Sequence, residues 1–528
     1  MNTGILKKYK FKLFIKKNSK YLIGISLLLV GGLVGIYFSY SRFFVKQETE
    51  VVRTTVGEFI SGDVIIGAYI GGEYSKTLPA KDSGYVVTNI VCDKDANPSW
   101  NNDTWSITLS NVKEKNKCNV YFQKEDNSSL DKIISKLDTS GKCPSVNSDG
   151  TVNVTAGESE NSLVCSAPDD YGTSYYFRGN VTDNYVKYSD RYWRIIRING
   201  DGTIRMIYDG TEAHANGEVS DDRRYTESYF DIIYDVREAN YMYGSQVGIV
   251  KSNIFCSSCY GEKMSISRSF SMQKNKYNLY ELVLDNPVSV SCADMENNLD
   301  KYLGYYFEFG NGGLGHVIST EKSCYGEELF IGPISKEDAQ QNVLSSHFKI
   351  DTDSLFTNNI IAPSFRGIIK DEIYCNDRNT NSSNYVQDSV YFRWADTPWS
   401  SSSKQYPRLK CSQINDAFTV NDTNKGNGAL TYPVGNLTAD EAVLAGAWSN
   451  ENTKYFLYDG KGFATMSPHQ VFSPIISAIG SIMKIESNGS LASADDVYPF
   501  GIRPVINVSS VILNNGSGTS TDPYRLEN

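Results

Sequence analysis

The sequence predicts an exported protein of three parts: an N-terminal membrane helix, an all-β spacer, and a large head that contains both strands and a helix. Three observations lead to this prediction. An uncharged apolar stretch follows a lysine-rich start, all ten cysteines lie beyond that stretch, and strand-like alternation and a helix-capping pattern recur after it. The 528 residues are 40% hydrophobic and 21% charged, a globular composition with room for several domains.

The apolar stretch comprises residues 21–41 and lies between Lys20 and Arg42. As a helix it extends roughly 32 Å, enough to cross a hydrocarbon core of about 30 Å. Seven lysines occur within residues 1–20, so the positive-inside rule places this basic tail in the cytosol and the bulk of the chain outside the cell. The alternative is a cleaved signal peptide, which the length of the stretch disfavours. We therefore expect a single-pass, signal-anchored protein of the cell membrane.

The charge distribution limits the classes of partner. The formal net charge is -10, and basic residues concentrate before residue 43, so the exported part is more acidic than the whole chain. An acidic surface repels phosphate backbones and anionic headgroups. We expect no nucleic-acid partner, and a membrane contact only through the N-terminal helix.

Residues 45–123 are predicted to form the spacer, and residues 124–141 a polar linker. Apolar residues alternate, as in half-buried strands, in the runs Val64–Ile70, Val86–Cys92, Trp105–Leu109 and Cys118–Phe122. Two cysteines on facing strands with a tryptophan between them resemble a small immunoglobulin-like sandwich. The sequence thus predicts an immunoglobulin-like spacer that holds the head away from the membrane.

The even number of cysteines on the exported side is typical of structural disulfides in an oxidising compartment. Pairing of nearest neighbours is the simplest expectation, and it gives Cys92–Cys118, Cys143–Cys165, Cys256–Cys259, Cys292–Cys324 and Cys375–Cys411. Each longer pair closes a loop of about 20–40 residues and stabilises the fold by a few kcal/mol. The Cys-Ser-Ser-Cys spacing at 256–259 has two further interpretations, a redox dithiol and half of a zinc site.

The predicted head spans residues 142–528 and has a cysteine-containing insertion around 250–360. Its first firm element is a β-hairpin around an Asn-Gly-Asp-Gly turn, formed by Trp193–Ile198 and Thr203–Tyr208. Apolar residues occupy both faces of this hairpin, so we expect it to be central in its sheet. A second hairpin is predicted from Tyr455–Tyr458 and Phe463–Ser467.

A helix is predicted to begin at Thr438. Thr438 is the N-cap and Glu441 stands at the third helical position, which completes a capping box. The run Gly501–Val508 reads as a late strand, in which Pro504 has no N–H to donate. We therefore expect this strand to lie at a sheet edge or to be bulged at Pro504.

Four stretches of the head, taken in order, carry a resemblance to a known family. They are YWRIIRINGDGTIRMIYDG at 192–210, LTADEAVLAG at 437–446, FATMSP at 463–468 and FGIRPVINV at 500–508. The last three resemble the helix and two strands of the formylglycine-generating-enzyme (sulfatase-modifying) branch of the C-type lectin-like fold. Together with YMYGSQ at 241–246, YCNDRN at 374–379 and LTYPVGN at 430–436, they also resemble uncharacterised membrane-anchored surface proteins of low-GC gut bacteria, a resemblance that extends over about two thirds of the chain.

The resemblance implies an α+β C-type lectin-like head, with the Trp193–Ile198 strand in the same sheet as the Ile502–Val508 strand. It implies no activity, because fold does not determine function. The catalytic cysteine pair of the enzyme branch has no counterpart in this sequence, and lectin calcium-and-sugar motifs of the E-P-N or Q-P-D type are absent. Neither oxidase catalysis nor calcium-dependent sugar binding is carried over.

Residues of catalytic type are sparse. The four histidines, His214, His316, His347 and His469, have no metal-ligand spacing, and the common nucleophile, zinc-protease and phosphate-loop motifs do not occur. Asp221-Asp222 runs into two arginines and indicates a solvated charge cluster. Asp351-Thr-Asp353 is either a calcium contact or, more commonly, an Asx turn. We therefore predict no catalytic residue, no metal and no cofactor.

Aromatic residues are more informative, with 36 Tyr, 23 Phe and 6 Trp. Arg393, Trp394 and Trp399 fall just before a serine-rich loop, and exposed Trp, Tyr and Arg are typical of recognition surfaces. With Tyr458 they form the predicted ligand-binding set, for a glycan or protein ligand. The alternative is that both tryptophans are core residues, because tryptophan is highly buried on average.

These observations favour a membrane-anchored extracellular protein that presents a disulfide-braced binding domain and has no catalytic activity. Two alternatives stay open at this stage. One is an exported enzyme, either a thiol redox protein that uses Cys256 and Cys259 or a relative of the sulfatase-modifying oxidases. The other is a self-associating structural protein of the envelope.

Overall fold

The computed structural model describes residues 64–528 except for short segments: 76, 114, 156–160, 229–240, 244–246, 256–262, 275–279, 309–312, 323–324, 334–339, 381–389, 397–405, 472–479, 496–497 and 527–528. The chain divides into two compact units. Among the described residues, the smaller comprises 64–68 and Ile90–Val120, and the larger comprises Tyr69–Asn89 and 121–526.

The predicted spacer is built of strands, as expected. Its strands are β1 Ile65–Ile70, β2 Glu73–Ser75, β3 Tyr85–Cys92, β4 Asn97–Asn101, β5 Ser106–Ser110 and β6 Lys117–Lys124. Four of them form one sheet in the order β2-β1-β6-β3, and β4 and β5 form a separate hairpin. Trp100 and Trp105 stack edge-to-face across this hairpin, with ring centroids 5.2 Å apart.

The immunoglobulin-like expectation is wrong in one decisive respect. The Cys92–Cys118 disulfide joins β3 and β6, which are hydrogen-bonded neighbours in the same sheet. In an immunoglobulin sandwich the disulfide connects two different sheets. Alternation alone places a cysteine on one face of its strand but does not reveal which strand lies beside it.

The head contains the remaining strands. Those before the insertion are β7 Ser145–Val146, β8 Val152–Asn153, β9 Leu163–Pro168, β10 Thr173–Arg178, β11 Tyr185–Tyr188, β12 Arg191–Ile198 and β13 Ile204–Gly210. The next are β14 Thr226–Ser228, β15 Met242–Tyr243, β16 Val247–Phe255, β17 Lys263–Ser267, β18 Phe270–Lys274, β19 Tyr280–Leu284, β20 Val288–Ser291, β21 Tyr306–Glu308, β22 Leu314–Val317, β23 Gly326–Pro333 and β24 Leu344–Ser345. The last are β25 Tyr374–Cys375, β26 Val390–Tyr391, β27 Ala417–Phe418, β28 Gly435–Asn436, β29 Phe463–Val471, β30 Gly480–Ile485, β31 Leu491–Asp495, β32 Phe500–Ile502 and β33 Pro504–Val508.

The principal sheet of the head has the strand order β28-β33-β13-β12-β10-β9, and β11 pairs with β12. The predicted β12–β13 hairpin is confirmed, and it is central, as its two apolar faces indicated. Strand β33 pairs with β13, so the strands around Trp193 and Ile506 share this sheet. Pro504 is the first residue of β33, which lies between β28 and β13, so the strand is interior instead of an edge.

A second sheet has the order β14-β32-β29-β30-β31, with β26 paired to β29. Strand β29 pairs with β30, whereas the predicted partner Tyr455–Tyr458 forms no strand. The insertion has a separate six-stranded sheet in the order β16-β23-β22-β21-β17-β20. Its strands bury small apolar clusters of their own, around Phe307 and around Leu329.

Helices are few and short in the described residues. They are α1 Ser128–Ile134, α2 Cys292–Asn297, α3 Leu299–Tyr302, α4 His347–Thr357, α5 Arg393–Asp396 and α6 Ala439–Ala445, with 3₁₀ turns at Asp221–Arg223, Pro363–Ile368, Ile414–Asp416 and Ser510–Leu513. Helix α6 confirms the predicted capping box: the Thr438 side chain accepts from the Glu441 N–H, and the Glu441 side chain accepts from the Thr438 N–H.

The predicted α+β class, and with it the C-type lectin-like architecture of the head, is wrong. The structure is 40% strand and 14% helix, with its strands in many sheets. Segments between strands are mostly irregular, and buried arginines satisfy some of their carbonyls: Arg223 donates to the Phe456 carbonyl, and Arg503 donates to the Leu457 carbonyl. In these segments, arginine side chains satisfy carbonyl oxygens that backbone N–H groups would satisfy within a helix.

The N-terminal predictions concern residues that the structure does not describe. The basic tail at 1–20 and the predicted membrane helix at 21–41 both lie outside the described residues. Within the described ranges, no helix is long and apolar enough to span a bilayer.

Three of the predicted disulfides are confirmed: Cys92–Cys118, Cys143–Cys165 and Cys375–Cys411. Cys292 is also disulfide-bonded. Its predicted partner Cys324 lies outside the described residues, as do Cys256 and Cys259.

Candidate functional site

A charged cleft opens in the head beside the first turn of α6. It is narrow, with a cavity volume of about 20 Å³. Five acidic and four basic residues line it, together with Tyr171, Ile373, Cys375, Leu409, Thr438 and Ser467. The charged lining residues are Asp169, Asp170, Asp377, Asp440, Glu441, Arg197, Arg205, Arg408 and Lys410. Long-range folding therefore assembles this site from distant segments.

Two arginines on the central hairpin meet one glutamate at the floor of the cleft. Arg197 on β12 and Arg205 on β13 are directly opposite each other in the antiparallel register. Like charges in this position destabilise a sheet unless something lies between them. The Glu441 carboxylate does so, with Arg197 Nε 3.1 Å and Arg205 Nε 2.5 Å from Oε1. Burial alone would raise the pKa of Glu441, but the two guanidinium groups outweigh it and lower that pKa.

Register irregularities make this pairing possible. The β12–β13 ladder shifts between Ile195 and Arg197, as a β-bulge does. A one-residue shift turns a side chain to the other face of the sheet, so the bulge decides where Arg197 points. Glu441, a capping-box residue of α6, is thereby the counter-ion of the two hairpin arginines.

The opposite wall is held by two aspartates. Asp377 Oδ2 accepts from Arg393 Nε at 2.9 Å and from Arg408 Nη2 at 2.7 Å. Asp440 binds the other end of Arg393 and accepts from Trp394 Nε1 at 3.1 Å. Burial raises the pKa of Asp440, whereas at Asp377 the two arginines outweigh burial and lower the pKa.

Two turns close one end of the cleft. Asp169, directly after β9, accepts from Arg197 Nη1 at 2.7 Å and from the Gly200 N–H at 3.0 Å. A Cβ atom on Gly200 would lie 2.3 Å from the Gly172 nitrogen, so only glycine permits this approach. The turn after β9 and the turn between β12 and β13 are thus locked together through Asp169. We call the ion-paired set Asp169, Arg197, Arg205, Asp377, Arg393, Arg408, Asp440 and Glu441 the cleft network.

The rim of the cleft carries polar and aromatic groups besides the ion pairs of the cleft network. Lys410 is exposed, and Tyr171 is half-buried beneath Lys425, whose ammonium lies 4.2 Å from the ring centroid. Arg408 Nε has no hydrogen-bond partner. Tyr406, two residues before Arg408, is 45% exposed. The Cys375–Cys411 disulfide ties the two chain segments of this rim to each other.

The geometry limits the chemistry of the cleft. The carboxylates of the cleft network are paired with guanidinium groups, and Ser467 Oγ is engaged by the Ala439 N–H at 2.9 Å. A nucleophile or general base needs a lone pair that is free to meet a substrate. Among the described residues, no group of three or more His, Cys, Asp or Glu side chains could hold a metal ion. The cleft is therefore equipped for contact with a polar molecule through preformed dipoles and charges.

The predicted ligand-binding residues are placed differently from one another. Arg393 belongs to the cleft network, and Trp394 packs behind it, only 3% exposed. Trp394 is thus a core residue, the alternative that tryptophan burial favoured. Tyr458 is buried elsewhere, where its carbonyl accepts from Arg223. Trp399 lies outside the described residues.

The histidines and acidic pairs lie away from the cleft lining. His316 contacts Glu327 at 2.7 Å, and His469 contacts Ser481 at 3.1 Å. His214 is buried between Glu218 and Asp222. Asp221 pairs with Arg224 in the predicted solvated cluster, whereas the predicted Asx turn at 351–353 is instead part of α4.

Sequence reasoning missed Arg197, Arg205, Asp377 and Arg408, although one signal was present. The hairpin strand Trp193–Ile198 was predicted to be buried on both faces, yet it contains arginine. A buried arginine requires a counter-ion or several acceptors. Asp440 and Glu441 begin the predicted helix, which belongs to the same predicted head. They were therefore available as counter-ions for the arginines of the hairpin.

Comparisons with known proteins add no relative. No family model matches the chain, and no curated protein or solved structure is significantly similar to it.

Proposed function

We propose that this protein is held at the cell membrane through residues 21–41 and binds a ligand outside the cell, without catalysis. The cytosolic lysines and the apolar stretch support the topology. The disulfides of the described residues support an oxidising compartment. Protease added to intact cells should then remove the chain beyond residue 45, and its protection would contradict this topology.

One observation carries the binding function: the side chains of the cleft network are ion-paired without any ligand. They form two groups of four, one on the floor and one on the opposite wall, so little side-chain entropy is left to lose on binding. A site whose polar groups are already ordered binds with a smaller entropic cost. Because the carboxylates of the cleft network are paired with guanidinium groups, they are not free to act as a base or a nucleophile.

A glycan is the ligand class that this cleft favours. The lining is nearly balanced in charge, with five acidic and four basic residues, which suits a neutral, hydroxyl-rich molecule better than an ion. Lys410, an exposed residue of the lining, can donate to hydroxyl oxygens. Tyr406, two residues before Arg408 in the chain, offers an exposed ring on which a sugar face can pack.

The test uses the full chain in detergent micelles on glycan arrays, with pull-downs from extracellular material in parallel. Lys410→Ala and Tyr406→Ala should each weaken glycan binding at least several-fold, because both side chains are exposed at the rim. Lys132→Ala, an exposed lysine on α1, is the matched control and should bind as the parent does.

Three outcomes would contradict the proposal. Binding that neither rim substitution changes would remove the cleft from the function. A protein ligand in the pull-down, with no glycan signal, would replace the glycan. Turnover of a substrate by the purified chain would replace binding with catalysis.

A further inference from the structure

Strand β1, the first strand of the described residues, runs parallel to its neighbour β6. The Ile65 N–H donates to the Asn116 carbonyl at 2.9 Å, and the Gly71 N–H donates to the Phe122 carbonyl at 3.1 Å. The acceptors advance along the chain in the same direction as the donors, which is the pattern of a parallel pair. The N-terminal end of β1 and the C-terminal end of β6 therefore lie at opposite ends of this ladder.

The C-terminal end of β6 is fixed to the head. Glu125 directly follows β6, and its carboxylate accepts from Ser509 Oγ at 2.5 Å and pairs with Lys370 Nζ at 3.4 Å. Helix α1 comes next in the chain, and its Leu130 and Ile133 side chains are buried in the main apolar core of the head. A force applied to the head therefore reaches β6 at its C-terminal end.

In its sheet, β1 lies between β6 and β2. Strand β2 has only three residues, two of them exposed, so it supports β1 little. On the other side, the Tyr69 ring of β1 stacks on the Tyr121 ring of β6 with centroids 5.1 Å apart, which adds a side-chain contact to the ladder. The pairing with β6 is therefore the stronger of the two attachments of β1.

The direction of a pulling force decides how such a pair of strands separates. When the N-terminal end of β1 and the C-terminal end of β6 are pulled apart, the two parallel strands are loaded in shear and must slide along each other. All hydrogen bonds of the ladder then carry the force together. A force on the C-terminal end of β1 instead loads the bond at Gly71 first, and the strands peel apart one bond at a time. Because forced unfolding is governed by the barrier to separation, shear requires the larger force.

We propose that the β1–β6 pair is a mechanical clamp that carries tension in shear between the membrane and a ligand bound by the head. The proposal rests on the proposed function, which places the chain before β1 in the membrane and the ligand on the head. A ligand attached to another surface would then pull the two strands in the direction in which they resist most. The Cys92–Cys118 disulfide joins β6 to β3, so β6 stays in its sheet while β1 is pulled.

The experiment pulls single molecules of the full chain, in detergent micelles, from two directions. One handle is attached in both cases to an azide-bearing amino acid in place of Lys132, which is exposed on α1 just beyond β6. The second handle is attached either at the N-terminus, which loads the β1–β6 pair in shear, or at position 73, which peels it. Glu73 is exposed and lies directly after the turn that ends β1. The two attachments leave the strand pair itself unchanged.

We expect the rupture force to be several-fold higher with the N-terminal handle than with the handle at position 73. The N-terminal handle should release residues 65–84, as far as the start of β3, in a step of roughly 70 Å. Equal rupture forces in the two directions would overturn the proposal. A first step much longer than this would do so as well, because another part of the chain would then yield before β1.

Ile65→Pro tests the ladder itself, since proline is tolerated at the first residue of a strand but removes the N–H that donates to Asn116. It should lower the rupture force with the N-terminal handle. Ile65→Ala keeps the N–H and trims a side chain that is 52% exposed, so this matched control should rupture as the parent does. A proline variant as strong as the parent would contradict the clamp. Because no ligand takes part, a failure to find a glycan leaves these results intact, whereas glycan binding with equal forces in both directions would remove the clamp alone.

Discussion

The two ends of strand β13 carry two charge clusters of opposite character. At one end, Arg205 belongs to the cleft network, which reaches solvent through Arg393 and Arg408. At the other end, Asp209 lies among Arg194, Arg223 and Arg503, and all four side chains are fully buried. We call these four residues the buried cluster. One strand thus contributes to an ion-paired cluster that water reaches and to another that water does not reach.

The buried cluster organises a segment that has no regular structure. Arg223 Nε and Arg503 Nη2 lie 2.8 and 2.6 Å from Asp209 Oδ1. Their remaining donors reach backbone carbonyls, including those of Phe456 and Leu457. These contacts explain why the predicted strand at 455–458 does not form: its carbonyls are taken by arginines instead of by a neighbouring strand.

The largest effect is expected from Asp209→Asn. It removes the carboxylate that contacts three buried guanidinium groups, and breaking a buried ion pair leaves charge without compensation. The free energy of unfolding should fall by about 3–5 kcal/mol, measured by urea titration. Asp221→Asn is the matched control, since Asp221 pairs with Arg224 on the surface, and it should change stability little. Equal losses of stability in the two variants would show that the buried ion pairs and the surface ion pair contribute alike.

Loss of the rim disulfide is expected to cost somewhat less. Cys375 and Cys411 are 36 residues apart, and the double substitution Cys375→Ser with Cys411→Ser should lower the free energy of unfolding by about 3 kcal/mol through the unfolded chain. Glycan binding should also weaken, since this bond joins two segments of the cleft rim. A variant of lower stability that binds normally would show that the cleft network alone fixes the rim.

Local signals in the sequence were sufficient for several elements. Turn chemistry at Asn199–Gly202 predicted the β12–β13 hairpin, and Thr438 with Glu441 predicted the start of α6. Nearest-neighbour spacing predicted the pairs of three disulfides. In each case the deciding interaction joins residues close in the chain, so its pattern is visible without the fold.

The rest depended on contacts between distant segments. The α+β class failed because the strands pair across long separations, as β13 does with β33. The cleft was invisible for the same reason: Arg197 and Glu441 are separated by 244 positions. For Trp394 the neighbouring residues left a ligand-binding position and a core position both open, because its environment is set by Asp440 on a remote helix. Burial of a polar residue is a tertiary property, and a local pattern indicates it only where the whole strand is predicted to be buried, as at Arg197.

A smaller effect on the free energy of unfolding is expected from the titration of His214, which borders the buried cluster. Its ring nitrogens lie 2.8 Å from Glu218 and 3.0 Å from Asp222, so both must carry protons. Burial alone would lower the pKa of His214, but the two carboxylates outweigh it and raise that pKa. Stabilisation by a raised pKa is complete below the unfolded value of about 6.5 and is lost as pH rises through the folded value.

The free energy of unfolding should therefore decline as the pH rises above about 6.5, and His214→Gln should flatten part of this decline. Glu372, whose pKa is raised to about 8 by burial and by the Asp201 carboxyl, contributes a decline of the same sign between its ordinary pKa and that value, so Glu372→Gln is measured alongside. Below about pH 6.5 only Glu372→Gln should flatten the curve, whereas above that value His214→Gln should flatten it as well. An unchanged slope in His214→Gln would mean that its two carboxylate contacts do not hold a proton.

The smallest effect on stability is expected where the cleft network meets water. Arg408 pairs with Asp377, but its side chain is 23% exposed, and Asp377 keeps Arg393 as a second partner. Arg408→Gln should thus lower the free energy of unfolding by only about 1 kcal/mol. Glycan binding should fall much more, because the substitution removes the guanidinium that faces the cleft. Arg223→Gln gives the opposite pattern: lower stability, with the glycan affinity of the remaining folded molecules unchanged. If both arginine variants lose stability and affinity in the same proportion, the two ends of β13 do not differ in role, and the cleft is a part of the architecture like the buried cluster.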